Sequence, residues 1–403
     1  MGPHECGSST GEQSPLDDAS RPALTSDILH HGRRIMRAPP YSALDEALES
    51  LAGYGIELTN GNSNHAPMVA EALCSLGRPD TVMPWISRYR ERMLPRPAAV
   101  ASIRREDWRG PLGRRDRFTD WAQFFARELE EQAWREVLDR WVDRLAPGFS
   151  AAATHGVIRV GHAVRTLAAA ETPGRIRELA DALASWTATY RELPTHSDIG
   201  NGAMTPNEAI RKLPSIPPPH RRKLASITAS LTMLDDFPEF APVIGMIDLG
   251  GGIDPLLSEL TEAFANVFLD NAHDVLTTIV FIHGVTSLAA LGGIVPQVSE
   301  ATARRTLRYA WQTGCALYAC FGHSADGRHT EPRPYHEDAL IDRAVANGDE
   351  HVIKFTEACL RCYAINLAPV YLAAIGSALA AMAADDSAAK VASATFRGTA
   401  AVN

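Results

Sequence analysis

The sequence predicts an all-α protein, a large single helical, bundle-like domain with buried central helices and long loops. Apolar residues recur at three- and four-residue intervals through several long stretches, the spacing of one helix face. Strand-like alternation is scarce. Two stretches, 275–299 and 362–384, run more than twenty residues without Lys, Arg, Asp or Glu, as helices buried all round would. With 45% hydrophobic and 22% charged residues over 403 positions, the chain can bury a sizeable core, which excludes a disordered or fibrous protein.

Residues 1–40 are rich in Ser, Gly, Pro and Asp and read as a mobile N-terminal tail without an apolar leader. From Tyr41 the pattern SALDEALESLAGYG is helical and closes on glycines. Residues 118–145 form the clearest amphipathic helix, with aromatics and leucines on one face and Glu, Asp and Arg on the other. The Gly/Asn/Pro-rich segment 194–220 reads as a long loop of the kind that serves as a lid or binding loop. VIGMIDLGGG, from Val243, is the best strand candidate. The uncharged 275–299 and 362–384 are long enough to span a membrane. They hold His283, Pro296, Asn366 and Pro369 and much Ala and Gly, which favours the interior of a bundle instead. The helical domain is expected over 41–385, with a C-terminal tail over 386–403.

Lys and Arg total 39 against 48 Asp and Glu, a net charge of −9, with no basic run interleaved with aromatics, so nucleic acid is not an expected partner. Neither is a membrane. Six scattered cysteines make no disulfide framework, and the expected location is the cytoplasm. Cys359-Leu-Arg-Cys362 has no second CxxC and reads as helix packing. Leu249 to Gly252 lacks the G-x-G-x-x-G spacing, and no P-loop or G-x-S-x-G occurs, so no nicotinamide or flavin domain is expected.

The 14 histidines hold the chemical signal. His155 and His283 each begin His-Gly-Val inside an apolar run. His65 and His351 are each followed, after five intervening residues, by Glu-Ala, at Glu71 and Glu357. Four histidines in four apolar helices, in two look-alike pairs, fit a pseudo-symmetric bundle in which each half supplies two ligands to one metal. Imidazole suits iron, copper, zinc or nickel, and bundle cores build such sites from facing helices. The plainer alternative is four core histidines that each donate to a backbone carbonyl. Lys354 follows His351 by three residues, on the same helix face. Flanked by Ile353 and Phe355, it is a candidate for burial, a lowered pKa and reaction of the neutral amine with carbon dioxide to a carbamate. The competing reading is a lysine that snorkels or pairs with Glu350 or Glu357.

His162 follows His155 by two turns, about 10.5 Å of helix rise, too far for one ion. It is read as supporting the ligands from behind or contacting the substrate, with Arg159 and Arg165 as neighbours; His162 and Arg159 are the candidates for a catalytic base or a substrate-holding group. Asp270-x-x-His273 resembles half of a di-iron motif, but no Glu-x-x-His completes it. His323, His329 and His336 fall in a polar segment and are expected at the surface; His4, His30 and His31 belong to the tail.

NSNHAPMVAEALCSLG, ATHGVIRVGHAVR, FIHGVTSLAAL and HVIKFTEACLRCY together resemble the questin oxidase-like family over about residues 41–380. The resemblance implies a dioxygen-dependent oxygenase that opens the quinone ring of anthraquinone-type aromatic polyketides in a Baeyer–Villiger-like oxidation. It also implies a mononuclear non-haem iron held by His65, His155, His283 and His351, with carboxylated Lys354 as the fifth ligand. Two alternatives stand beside it. One is an NADPH-dependent monooxygenase that relies on a separate reductase or flavin protein; the other is a non-catalytic helical binding protein.

Overall fold

In the computed structural model, helices dominate and the only sheet among the described residues is two-stranded. The structure describes residues 1–2, 41–196, 200–323 and 336–383. The tails expected over 1–40 and 386–403 therefore lie outside the described residues, apart from 1–2, as do His4, His30, His31 and His329. Every helix and strand named below belongs to the compact unit that begins at Ala38.

The elements in chain order are α1 (Ser42–Leu51), β1 (Tyr54–Leu58), α2 (Ala66–Ser75), α3 (Val82–Tyr89), β2 (Met93–Pro95), α4 (Phe118–Glu131), α5 (Trp134–Leu145), α6 (His155–Ala169) and α7 (Pro173–Ala188). They continue as α8 (Pro206–Ile210), α9 (Ile227–Ser230), α10 (Ile253–Asn271), α11 (Val275–Ile294), α12 (Glu300–Phe321), α13 (Glu337–Asn347), α14 (Glu350–Asn366) and α15 (Val370–Ala383).

Four of these elements build the centre of the unit. α2 packs on α6, α6 on α11, α11 on α14, and α14 back on α2, which closes a ring of four helices. They run in the same direction. His155 meets His283 at one end of α6 and α11, and six or seven residues further on Gly161 meets Ala290. Likewise His65 meets His351, while Ser75 on α2 bonds Glu357 on α14. Gly161 is needed for the close approach, because a Cβ there would sit 2.6 Å from the Ala290 carbonyl oxygen. α11 is long and apolar enough to cross a membrane, but 78% of that apolar window is buried inside the fold. It is a core helix, as its lack of charge predicts.

Three expectations need correction. Residues 118–145 are two helices, not one, because Gln132 is extended (φ −138°, ψ 153°) and the chain restarts at Trp134. No glycine or proline marks the break; tertiary bonds hold it, with Arg140 donating to Gln132 and Glu128. VIGMIDLGGG is not a strand. Pro238–Gly245 is a 3-10 helix, and its Val243 carbonyl accepts from Trp311 Nε1 at 2.7 Å. Only one isolated bridge, Ile247 with Met204, follows. The real strands, β1 and β2, are antiparallel and short. Finally, 362–384 is not one buried helix: the chain turns at Leu367 (φ 56°), and Ile365 and Leu367 are exposed. The described residues of 194–220 are largely loop as expected, interrupted by α8, whose N-terminus carries a capping box from Thr205 and Glu208.

Candidate metal centre

Each helix of the ring delivers one imidazole to the same point. His65 is the N-cap of α2, His155 opens α6, His351 lies in the first turn of α14, and His283 lies mid-way along α11. Their ligand atoms all fall within 4.8 Å of one another. The rings follow one another at 4.5 Å (His65–His155), 4.7 Å (His155–His283), 5.5 Å (His283–His351) and 4.8 Å (His351–His65). The look-alike pairs of the sequence are thus neighbours in space, His-Gly-Val beside His-Gly-Val.

The outer nitrogens determine what the inner ones offer. His155 Nδ1–H donates to the Ala152 carbonyl at 2.5 Å, and His283 Nδ1–H donates to the Ile279 carbonyl at 2.6 Å. Both rings are then fixed as the tautomer with a bare lone pair on Nε2. Those two Nε2 atoms face each other at 3.3 Å, and His65 Nε2 lies 2.5 Å from that of His155. Nitrogens that share an ion at about 2.1 Å lie roughly 3–4 Å apart; the His155–His283 pair has that spacing, and the His65–His155 pair is closer than a shared cation would leave it. Facing lone pairs repel, and a cation between them removes the repulsion. The plain alternative, histidines bonded separately to carbonyls, holds for the outer nitrogens but does not account for the convergence of the inner ones.

The Ala152 carbonyl reaches His155 because Ala152, Ala153 and Thr154 all have left-handed backbones (φ 48°, 54° and 72°). For residues other than glycine each costs about 1–2 kcal/mol, so strain is concentrated immediately before this ligand. The other two rings rest on carboxylates. His65 Nδ1 lies 3.3 Å from the Tyr89 hydroxyl and 3.6 Å from Glu350, and Arg92 grips Glu350 with two nitrogens at 3.1 and 3.3 Å. His351 Nδ1 lies 3.3 Å from Asp349 Oδ1 and makes no aligned hydrogen bond. Tyr89, Arg92 and Glu350 were not singled out as site residues from sequence. The only available signal was Glu350, adjacent to His351.

Burial, together with the neighbouring Lys354 and the other imidazoles, pushes His65, His155 and His283 well below the ordinary imidazole pKa. Three helix N-termini at the site act in the same sense. These three histidines are therefore neutral and able to bind metal at pH 7.

Lys354 is buried, 2% exposed, and its charge acts on His65, His155 and His283. Among the described residues its ammonium has only through-space help from Glu350 and Asp349, so the paired and surface alternatives do not describe it. Burial lowers its pKa to about 8. An unfolded chain keeps that proton up to about 10.4, so stability rises with pH between about 8 and 10.4 as the folded protein sheds the buried charge. In carbon dioxide-free buffer without metal, Lys354→Met is expected to be more stable at pH 7 by on the order of 3 kcal/mol. That gap should close by about pH 10.5; a gap in urea denaturation that stays constant with pH would contradict the assignment.

His162 and Arg159 are not brought to the four rings. His162 Nδ1 donates to Glu71 at 2.6 Å, and Arg159 forms a two-bond fork on Glu178 at 2.7 and 2.8 Å. His273, His323 and His336 are exposed and lie apart from the centre. Cys359 and Cys362 are buried with thiols pushed up, Cys362 to about 11, as packing residues would be.

No curated protein matches the chain. Residues 62–242 match the family described as Questin oxidase-like, a span that ends before His283 and His351. Those two ligands are therefore joined to the first pair by the geometry alone. Over residues 62–242, which carry His65, His155 and the packing of α2 on α6, the chain is similar to the questin oxidase-like family.

Proposed function

We propose that the protein is a non-haem iron oxygenase that uses dioxygen to oxidise and open an anthraquinone- or hydroquinone-type aromatic polyketide in the cytoplasm. The observation that carries this reading is the convergence of four imidazoles from four helices within 4.8 Å, two of them locked as Nε2 donors. The match of residues 62–242 to the questin oxidase-like family supports oxygenase chemistry. Iron in this donor set would supply dioxygen activation and Lewis-acid polarisation of a substrate oxygen.

The chain's residues do the rest. His65, His155, His283 and His351 hold the ion, and the carbonyls of Ala152 and Ile279 together with Glu350 keep three of the rings aimed. Lys354, whose amine is neutral above about pH 8, takes up carbon dioxide and adds an anionic oxygen ligand in carbamate form. Insertion of one oxygen beside a quinone carbonyl gives a lactone, and hydrolysis of the lactone opens the ring. The second oxygen atom leaves as water with two electrons and two protons from the hydroquinone form of the substrate. Substrate reduction by a separate NADPH-dependent reductase would explain any NADPH requirement without a dinucleotide-binding domain here. His162 and Arg159 act on the substrate only through the helices they brace, because each is already bound to a carboxylate.

Anaerobic reconstitution with ferrous iron, followed by oxygen uptake with an anthrahydroquinone, tests this. The expected result is about one iron per chain and uptake without NADPH. Uptake only with NADPH and a reductase would favour the monooxygenase alternative, and failure to bind metal would favour a helical binding protein. In the same assay Lys354→Ala should lose most of its iron and regain part of it with added formate or acetate. Unchanged iron and activity would remove the lysine from the site.

A further inference from the structure

Six residues after His65 comes Glu71, and six after His351 comes Glu357; the two meet on one guanidinium. Arg165 of α6 donates to Glu71 through one terminal nitrogen and to Glu357 through the other, the latter at 2.7 Å. Glu71 also accepts from His162 at 2.6 Å and from the Tyr41 hydroxyl at 2.8 Å. Glu357 accepts from Arg361 Nε at 2.9 Å and from Ser75 at 3.3 Å. Arg361 Nη1 then reaches the Ala289 carbonyl of α11 at 2.8 Å. One connected polar network thus touches all four helices that carry the histidines. Burial disfavours both carboxylates, but Arg165 together with His162 at Glu71, and Arg165 together with Arg361 at Glu357, outweigh it and hold them ionised.

Between this network and the imidazoles lies a small apolar cluster of Met68, Ile158 and Ala290. The bundle therefore has three storeys: four imidazoles, an apolar floor, and a charged clamp about two turns below. Apolar contacts are non-directional and tolerate sliding, whereas metal–ligand distances tolerate only about ±0.2 Å. A buried ion network is no more stabilising than apolar packing of the same volume, so its presence here calls for a geometric reason.

We propose that Arg165 is the positioning residue of the histidine centre. Its planar fork bonds α2 on one side and α14 on the other, which fixes the heights of both helices against α6. Helices are rigid at about 1.5 Å per residue, so a register set at Glu71 and Glu357 is also set at His65 and His351. Arg361 ties α11 to the same level. This inference rests on the four histidines binding a metal.

The test uses cobalt(II) as the probe on the intact purified protein, with affinity from chelator competition and coordination from visible absorption. Two variants are compared, Arg165→Lys and the charge-neutralised Arg165→Met/Glu71→Gln/Glu357→Gln. The second leaves no carboxylate of this network stranded, so it serves where the first fails to fold. In a cooperatively folded variant, cobalt affinity should fall roughly 10- to 100-fold, with an altered spectrum. Affinity and spectrum like those of the parent in a folded variant would overturn the proposal. Parent protein that binds no cobalt sinks the metal centre and this inference with it. Binding lost in His283→Ala but retained in both clamp variants sinks this inference alone.

Discussion

His283→Ala is expected to abolish stoichiometric metal binding while leaving the metal-free protein folded. His283 is 2% exposed, and its Nε2 faces that of His155 at 3.3 Å. Removing one of four imidazoles costs more than losing an outer partner of a ligand, for which 10- to 100-fold is usual; a drop beyond about 100-fold is expected. Metal that binds only the folded state stabilises it by mass action, by about 4 kcal/mol at a thousandfold excess over Kd. The parent should therefore show a large metal-dependent rise in melting temperature and His283→Ala almost none. Without metal the substitution should cost only about 1–2 kcal/mol, because it also relieves the lone-pair repulsion with His155. Equal metal content and equal thermal shifts in the two proteins would remove His283 from the centre.

Arg159→Met should give the opposite pattern. Arg159 and Glu178 form a two-bond pair with both side chains at or below a tenth exposed. Loss of the guanidinium strands a buried carboxylate beside Asp181, a change expected to cost about 3–5 kcal/mol. Metal content per folded chain should not change. Adding Glu178→Gln should restore most of the stability, since the stranded charge is then gone. A variant of parental stability with a raised KM would instead return Arg159 to the substrate-contact role its position after His155 suggested.

The histidine centre was legible in the sequence because its signal is local. His-Gly-Val twice and His-x5-Glu-Ala twice mark four helix faces, and all four faces proved to converge. The same spacing also contained the clamp, yet Glu71 and Glu357 read only as parts of a repeat. Nothing local says that both carboxylates close on Arg165, which lies between them in the chain and meets each across a different helix pair. Tyr89, Arg92 and Glu350 were hidden for the same reason: their importance lies in what they touch. The break at Gln132 has no glycine or proline to announce it, and tertiary bonds override helix propensity there; the one at Leu367 did have a signal, Pro369 two residues further on. The apparent strand at Val243 failed because a short apolar run has no intrinsic preference when a helix offers it a surface.

Four helices that run the same way cannot be joined by tight turns; each must be followed by a return journey before the next can begin. Here those journeys fill 76–154, 170–274 and 295–349, and His65 waits 286 positions for the ring of His351. Contacts so distant in sequence are slow to form, because the closure entropy comes due before the contact repays it. During synthesis the first helix of the ring leaves the ribosome long before the last, and a chain cut anywhere ahead of α14 lacks a wall of the cage. The complete set of four imidazoles thus exists only in a chain synthesised past the start of α14.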